Sequence, residues 1–463
     1  MTTKDTIQVN KPKNDLNLLV LTWPIFIEIF LFMLMGLADT FMLSAVSDDA
    51  VSGVGASNQF LQIAILILQV IGSGASIVVA QYIGSRRYKE VSKIAATAIA
   101  LNLVIGIIIS IIFLVFGSYM LQALNLQGNV FEYAKSYLGI VGGAIFLQAL
   151  INSLSAIIRV HGFTLATMFV SLGMNIIHVV GNYLLIFGNF GFPELGVEGA
   201  AISTIVSRFL ALLVFFWLFY KILEVKVKIN YYFSLSKDYI NKILKIGIPS
   251  AFEQVMYQSC QIVFLYYATF LGPSSLAARQ YATNISMFIY LFALAIGLGT
   301  AIIVGRLVGA RRSLEAYNSV WRSVRWASGA TLIVVILVIV FRVPIMELFS
   351  DNPEIIKLGS DVLLLSFLLE TGRTINIVLI NSLRAAGDAK FPVLIGAFSM
   401  VAMSLPLGYF LIFYLDLGLA GIWLAIAADE WTRATFMFFR WRSRKWEKYA
   451  LVEQDQSAAS VIE

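Results

Sequence analysis

Gly84-Ser85-Arg86-Arg87 ends one long apolar run of the chain, and Gly309-Ala310-Arg311-Arg312 ends another such run 225 residues later. The same interval separates further pairs of identical residues: Pro24 and Pro249, Glu28 and Glu253, Arg159 and Arg384, and Gly162 and Gly387. A tyrosine-to-phenylalanine stretch, 183–187, returns at 409–413 after 226 residues. Because these landmarks are spread over nearly half of the chain and keep their order, they indicate an internal duplication.

The composition is typical of a membrane protein. Apolar residues make up 59% of the 463 residues and charged residues only 13%, too few to cover the surface of a soluble domain of this length. The apolar residues form runs long enough for helices that cross about 30 Å of hydrocarbon. We predict an all-α integral membrane protein with twelve transmembrane helices in two pseudo-symmetric six-helix lobes. The predicted spans are 16–43, 53–82, 94–120, 132–158, 164–188, 198–222, 243–271, 277–307, 318–342, 357–383, 391–415 and 419–439.

Lysine and arginine alternate strongly between successive loops. Loops rich in these residues would face one side of the membrane: Lys4, Lys11 and Lys13; Arg86, Arg87, Lys89 and Lys93; Arg159; Lys221, Lys226, Lys228, Lys237, Lys242 and Lys245; Arg311 and Arg312; Arg384 and Lys390; Arg440, Arg442, Arg444, Lys445 and Lys448. By the positive-inside rule, we expect a multi-pass protein of the bacterial inner membrane with both termini in the cytoplasm. The net charge of +6 is thereby explained without a nucleic-acid partner.

The predicted domain organisation follows from the duplication. We expect a cytoplasmic N-terminal tail (1–14), an N-terminal six-helix lobe (15–222), a cytoplasmic interlobe linker (223–242), a C-terminal six-helix lobe (243–440) and a cytoplasmic C-terminal tail (441–463). The polar first residues and the absence of a small-residue cleavage site indicate that the N-terminus is not a cleaved signal peptide. Two lobes inserted in the same orientation predict a pseudo-two-fold axis along the membrane normal, with a cavity between the lobes.

No motif for enzymatic chemistry is present. The sequence has no phosphate-binding Gly-x-x-x-x-Gly-Lys-Ser/Thr loop, and hydrolase and metalloprotease signatures are absent. Cys260 is the single cysteine, and His161 and His178 have no acidic or cysteine partners at metal-binding spacing. We therefore predict that the chain is not an enzyme and needs no metal or cofactor. Duplicated lobes favour a transporter over a channel or receptor.

Asp39 is the best candidate for ion coupling. It lies in an apolar stretch without a cation nearby in sequence, and an ionisable group inside a span is costly enough to need a reason. A carboxyl group that changes protonation as its exposure changes is a natural proton carrier. The alternative is a polar group that packs helices near the end of the span.

Other intramembrane polar residues are weaker candidates. Glu28 and Glu253 each follow a proline by four residues, which favours a structural role for Glu28 and leaves Glu253 open. Arg373 and Glu370 share a helical face, as an internal ion pair would. Stripes of polar side chains can glue helices or line a wet path. The residues considered for coupling or substrate binding are His178, Asn182, Asn175, Asn58, Gln62, Met33, Glu253 and Tyr257.

In these features the chain resembles the multidrug and toxic compound extrusion (MATE) family, in the DinF-like or a related bacterial branch. The resemblance covers about residues 15 to 440. It rests on five motifs in order: Leu37-Ala38-Asp39-Thr40, Gly84-Ser85-Arg86-Arg87, Asn182-Tyr183-Leu184-Leu185-Ile186-Phe187-Gly188, Gly196-Val197-Glu198-Gly199-Ala200-Ala201 and Leu383-Arg384-Ala385-Ala386-Gly387.

The resemblance implies a V-shaped pair of lobes that exports amphipathic, often cationic compounds in exchange for H+ or Na+. Asp39 matches the first-span aspartate implicated in proton coupling. Proton-coupled relatives often carry a second aspartate where this chain has Asn182. In Na+-coupled relatives, carboxylates of the seventh and tenth spans bind the cation, so Glu253 and Glu370 form a weak Na+ alternative, although Arg373 at the tenth-span position would repel Na+. We expect a monomeric drug/proton antiporter in the lipid bilayer.

Two alternatives remain open: a Na+-coupled antiporter and a lipid-linked precursor flippase of the wider superfamily. The flippases often have fourteen spans and a strongly basic cavity, which this sequence does not predict. A major-facilitator transporter would carry an aspartate in the loop before Arg86, and none is present.

Overall fold

A computed structural model of the chain describes residues 16–223 and 227–452. Over these residues the regular structure is helical, and twelve long helical segments follow the predicted spans in order. They are α1 (Leu18–Ser44), α2 (Asp48–Gly84), α3 (Tyr88–Gln122), α4 (Gly128–Gly142 and Ile145–Val160), α5 (Thr164–Phe187), α6 (Gly196–Ile222), α7 (Lys237–Thr269), α8 (Pro273–Gly309), α9 (Ser313–Val340), α10 (Pro353–Ala385), α11 (Lys390–Phe413) and α12 (Gly418–Arg442). The predicted N-terminal tail, Lys226 of the linker and residues 453–463 lie outside the described residues.

The helix boundaries follow local sequence signals. Asn17 accepts a hydrogen bond from the Leu19 amide at the start of α1 (3.0 Å), and Ser47 does the same for Ala50 at the start of α2 (3.0 Å). Such side-chain caps satisfy amide groups that the first turn leaves free. The helix α7 begins at Lys237, six residues before the predicted start of the seventh span.

The fourth span, predicted as one helix over 132–158, is broken. Its two pieces meet at 46°, with a π-helical turn at Leu138–Gly142 before the break. The break coincides with a glycine pair, because Gly142 packs directly on the Phe113 side chain of α3 and Gly143 on Leu114. A π-turn next to small residues is a usual cause of a helix kink.

Most of these helices are apolar and long enough to cross a bilayer. Within the described residues nine qualify by length and hydropathy, and the two pieces of α4 together make a tenth. The remaining two, α7 and α12, carry charged side chains inside the bundle, among them Glu253, Asp429 and Arg433. Isoleucine, leucine and valine side chains of α3 and α9 are exposed, as lipid-facing surfaces require: Ile108, Ile111, Leu114, Ile333, Ile336 and Val340.

An ion pair is repeated in the two lobes, α1–α6 and α7–α12. Arg159 of α4 lies 2.9 Å from Glu28 of α1, and Arg384 of α10 lies 2.6 Å from Glu253 of α7. In both pairs the partners are 131 residues apart in sequence. The ion pair therefore joins the first and fourth helices of each lobe at equivalent positions, as the duplicated sequence predicts.

The lobes meet at the end of the bundle that holds Gly84 and Gly309, here named the basic end because the loops after both glycines carry two arginines. Helices α1 and α2 pack there against α7 and α8. A Cβ atom on Gly84 would overlap the Arg306 carbonyl oxygen, and one on Gly309 would overlap the Gln81 carbonyl oxygen. These two contacts are equivalent under the 225-residue repeat, so the interface is pseudo-two-fold.

We predict that the Glu28–Arg159 pair contributes to stability as a unit. Glu28→Leu or Arg159→Met alone leaves one charge without its partner and should lower the free energy of unfolding by about 1–3 kcal/mol. The double variant removes both charges and should recover most of the loss. Thermal unfolding in detergent measures both effects, with Glu315→Leu, which breaks an exposed pair with Arg312, as a control expected to change little. A double variant that loses the sum of the two single losses would contradict the pairing.

Candidate functional site

Asp39 lies in a polar pocket of the N-terminal lobe, formed by α1, α5 and α6. The Asn182 side-chain amide donates a hydrogen bond to Asp39 Oδ1 at 2.7 Å. His178 Nε2 lies 3.3 Å from the same oxygen. The Asp39 side chain keeps 17% of its surface exposed, whereas that of His178 keeps 1%. The structure thus brings together three predicted residues that are up to 143 positions apart in the chain.

His178 connects Asp39 to α6. Its Nε2 also lies 3.1 Å from the Thr204 hydroxyl, which donates its own hydrogen to the Ala200 carbonyl oxygen. The Ser203 hydroxyl donates to the His178 carbonyl oxygen at 2.8 Å. Because Thr204 is already a donor, a hydrogen on His178 Nε2 can be shared between Thr204 and Asp39. The imidazole is therefore a fixed hydrogen-bonding partner of the carboxyl group.

Arg208 of α6 adds a positive charge to this region. Its guanidinium acts electrostatically on Asp39 and on Tyr137, a buried residue of α4. The ion pairs of the described chain include none between Arg208 and Asp39. The pocket therefore combines a carboxyl group, an imidazole and an amide with a more distant cation.

Three other predicted residues are not brought to Asp39. The Asn175 amide donates to the Ser171 carbonyl oxygen of its own helix at 2.8 Å. Asn58 is exposed, and Met33 is half-buried on α1. None of the three lines the cavity between the lobes described next.

That cavity has a volume of about 510 Å³ and lies between α2 of the N-terminal lobe and α7, α8, α10 and α12 of the C-terminal lobe. Three predicted residues line it: Gln62, Glu253 and Tyr257. Its walls combine amide groups, tyrosines, aliphatic side chains and charged groups. The charged lining residues are Glu253, Arg373, Arg384, Glu430 and Arg433.

Behind the cavity wall the charged groups form one network. Arg373 bridges Glu370 (2.7 Å) and Glu430 (3.2 Å). Arg433 lies 2.7 Å from Asp429 and 3.2 Å from Glu430, and it reaches Glu253 at 3.7 Å. The Arg373 and Arg433 guanidinium groups also lie over the rings of Tyr290 and Tyr257, at 5.1 and 5.9 Å from the centroids. Buried charges must be paired and hydrogen-bonded in this way to be tolerated.

The sequence predicted part of this network. The Glu370–Arg373 pair at i, i+3 was expected, but Asp429, Glu430 and Arg433 were treated as separate pairs near a membrane interface. A signal was available, because three charged residues within five positions of α12 share a helical face inside an otherwise apolar segment. The extra partners, Glu253 and Arg384, come from α7 and α10 and could not be assigned without the tertiary fold.

The residues present do not suit a sodium ion at Glu253 and Glu370. Glu253 is bonded to Arg384 and Glu370 to Arg373, so a cation would have to displace a guanidinium from each carboxylate. Within the described chain, no group of three or more histidine, cysteine, aspartate or glutamate side chains is arranged to hold a metal ion. The charged groups of the C-terminal lobe therefore have the character of a structural ion-pair network.

Glu28 has the structural surroundings that its sequence position favours. Besides its ion pair with Arg159, it accepts hydrogen bonds from Thr167 and Ser171 of α5, each at 3.3 Å. These contacts tie α1 to α4 and α5 close to Pro24. All four carboxylate-binding groups belong to the basic half of the lobe, away from Asp39.

Comparison with known proteins agrees with this architecture. The MatE family model matches the chain twice, over residues 24–184 and 249–410. A Bacillus subtilis protein named "Uncharacterized transporter YisQ" is 41% identical over 443 residues, covering 96% of this chain and 97% of that protein. A Thermotoga maritima protein named "Probable multidrug resistance protein NorM" is 28% identical over 456 residues, covering 96% of each chain.

Solved structures share the fold. A multidrug resistance MATE family transporter in an outward-facing conformation superposes with a TM-score of 0.85 at 22% identity, covering 92% of this chain and 95% of that chain. A transporter of the same superfamily from Pyrococcus furiosus gives 0.83 at 21% identity, covering 92% and 95%. Since the family model matches both halves of the chain, one match to each lobe, this protein belongs to the MatE family of multi-pass membrane transporters.

Proposed function

We propose that the protein is a proton-coupled exporter of amphipathic or cationic compounds, which works by alternating access between its two lobes. It would act as a monomer in the bacterial cytoplasmic membrane, with both termini and the basic end in the cytoplasm. Its relatives named as multidrug resistance proteins support export of small molecules. The observation that carries proton coupling is the unpaired state of Asp39.

Asp39 differs from the buried carboxylates of the helix bundle. Glu28, Glu253, Glu370, Asp429 and Glu430 each lie within 3.2 Å of an arginine. Asp39 instead meets an amide and an imidazole, and among the described residues no arginine or lysine pairs with it. A carboxyl group whose charge no guanidinium neutralises can gain or lose a proton without breaking an ion pair, which supports Asp39 as the carrier.

The lobe contacts support alternation. The tightest contacts between the lobes lie in the basic half of the helices, where Gly74 meets Ile243 and Gly247 meets Val70. If the basic end is cytoplasmic, this arrangement closes the cavity to the cytoplasm. A second state would separate these contacts and join the lobes at the opposite end.

The cavity between the lobes is the proposed substrate site. A volume of about 510 Å³ is in the range of small-molecule sites. Glu253 and Glu430 on its wall can attract a cationic group, while Leu294, Leu298 and Ile377 offer an apolar side. This combination suits an amphipathic cation.

The proposal predicts that Asp39→Asn abolishes proton-driven transport. In proteoliposomes with the membrane potential clamped, wild-type protein should drive uptake of a fluorescent cationic dye into vesicles with an acidic lumen, at about 1.4 kcal/mol per pH unit and proton. An asparagine keeps the shape and hydrogen bonds of the carboxyl group but cannot carry a proton, so uptake should fall to the rate of empty liposomes. Asp361→Asn, which alters an exposed carboxylate of α10, is the matched control and should transport normally.

Two outcomes would contradict this assignment. Wild-type uptake driven by an imposed Na+ gradient but not by a pH gradient would make the protein a sodium antiporter. Wild-type rates in Asp39→Asn would remove Asp39 from the coupling path. If neither gradient moved the dye, the flippase alternative would gain support.

The hydrogen bond to Asp39 gives a second prediction. Asn182→Leu removes the amide that donates to Asp39, a charge-assisted bond of about 1.5–3 kcal/mol, so proton-driven uptake should fall about tenfold or more. Asn175→Leu is the same change on the same helix, but that amide binds only its own helix in the described structure, and the rate should stay within about twofold. Initial uptake rates at matched protein content measure the difference. Equal rates for the two variants would show that Asn182 has no part in coupling.

A further inference from the structure

Two side chains cross the lobe interface at the basic end, at equivalent positions of the repeat. Gln81 of α2 donates from Nε2 to the Ala385 carbonyl oxygen at the end of α10, at 2.7 Å. Arg306 of α8 donates from Nη2 and Nε to the Val160 carbonyl oxygen at the end of α4, at 2.5 and 3.1 Å. Both donors and both acceptors are 225 residues apart.

Each acceptor is a carbonyl group that its helix leaves unsatisfied. Val160 and Ala385 are the last residues of their helices, and the chain then turns at Gly162 and Gly387, which have positive φ angles of 91° and 98°. The last carbonyl groups of a helix have no partner in the helix and carry the negative end of its dipole. Each lobe therefore presents an acceptor that the other lobe fills.

A segment after α12 strengthens one of the two contacts. The Leu451 amide donates to Gln81 Oε1 at 2.7 Å, so one glutamine side chain binds both Ala385 and Leu451. This segment, residues 443–452, is anchored to the C-terminal lobe by Trp446, which is buried and stacks on Trp441 at 4.2 Å. Leu451 itself packs into a buried cluster that includes residues of both lobes.

We propose that Gln81 and Arg306 are the paired latch that holds the lobes closed at the basic end, and that residues 443–452 act as a strap securing the Gln81 side. These are positioning residues of the transport cycle: they set which end of the cavity is closed and do not touch substrate. Both contacts must break when the basic end opens, because each joins a helix end of one lobe to a side chain of the other. The inference rests on the proposed function only in requiring that the lobes alternate.

The test measures lobe positions directly, without substrate or an ion gradient. Cys260→Ser removes the single cysteine, which allows spin-label pairs at Lys89→Cys with Leu314→Cys near the basic end and at Phe190→Cys with Leu348→Cys near the opposite end. Pulsed electron paramagnetic resonance then gives both distance distributions. In Arg306→Ala and Gln81→Ala the population with a long basic-end distance should rise about tenfold for each variant, while the opposite-end distance shortens.

Matched variants separate the latch from general stability. Arg325→Ala alters an arginine that binds a carbonyl group of its own helix, and Gln122→Ala alters an exposed glutamine, so neither should move the populations. Arg306→Lys keeps a cationic donor and should restore most of the closed population. Leu451→Pro removes the amide donor of the strap and should open the basic end more than Leu451→Ala, which keeps it; the preceding Ala450 has ψ 136°, a conformation that proline allows.

The outcomes are distinct from those of the coupling test. Variants that lower the thermal unfolding midpoint without changing either distance distribution would overturn the latch, since the contacts would then be structural only. Equal effects of Leu451→Pro and Leu451→Ala would overturn the strap. Loss of proton coupling in Asp39→Asn has no bearing on these distances, and a shifted population in the latch variants would stand even if the driving ion were sodium.

Discussion

An ion pair inside the membrane, made twice, is the constraint on which the rest of the structure depends. A carboxylate in a span is costly unless a cation neutralises it, so Glu28 fixes Arg159 and Glu253 fixes Arg384. Each pair ties the first helix of a lobe to its fourth, just beyond a proline that interrupts helix hydrogen bonding. Each lobe is thereby a stiff body, and two stiff bodies can exchange contacts at either end of a cavity.

The same framework is filled differently in the two lobes. Arg433 of α12 and Arg208 of α6 occupy equivalent positions of the repeat. In the C-terminal lobe Arg433 is surrounded by three carboxylates, while in the N-terminal lobe Arg208 acts on Asp39 without a printed ion pair and Thr204 replaces the equivalent Asp429. Divergence after duplication has thus left one lobe with saturated ion pairs and the other with a carboxyl group able to exchange a proton.

Sequence reasoning found what short-range patterns encode. The spans, the repeat and the value of Asp39 follow from apolar runs, the 225-residue interval and the cost of a charge in hydrocarbon. The kink of α4 was missed because a π-turn beside Gly142 depends on packing against α3. The cavity network was missed because its partners lie up to 131 residues apart, and helical spacing reports only neighbours three or four residues away.

The positions of these groups also constrain how a proton could influence the basic end. Asp39 lies near the opposite end of α1, so it cannot touch the latch. However, α1 also carries Glu28, which binds Arg159, and the next residue, Val160, accepts the hydrogen bonds from Arg306. A movement of α1 on protonation of Asp39 would therefore be carried through the Glu28–Arg159 pair to the helix end that the other lobe grips. The contiguous contacts offer a mechanical connection between coupling and gating that needs no direct contact of the proton site with the interface.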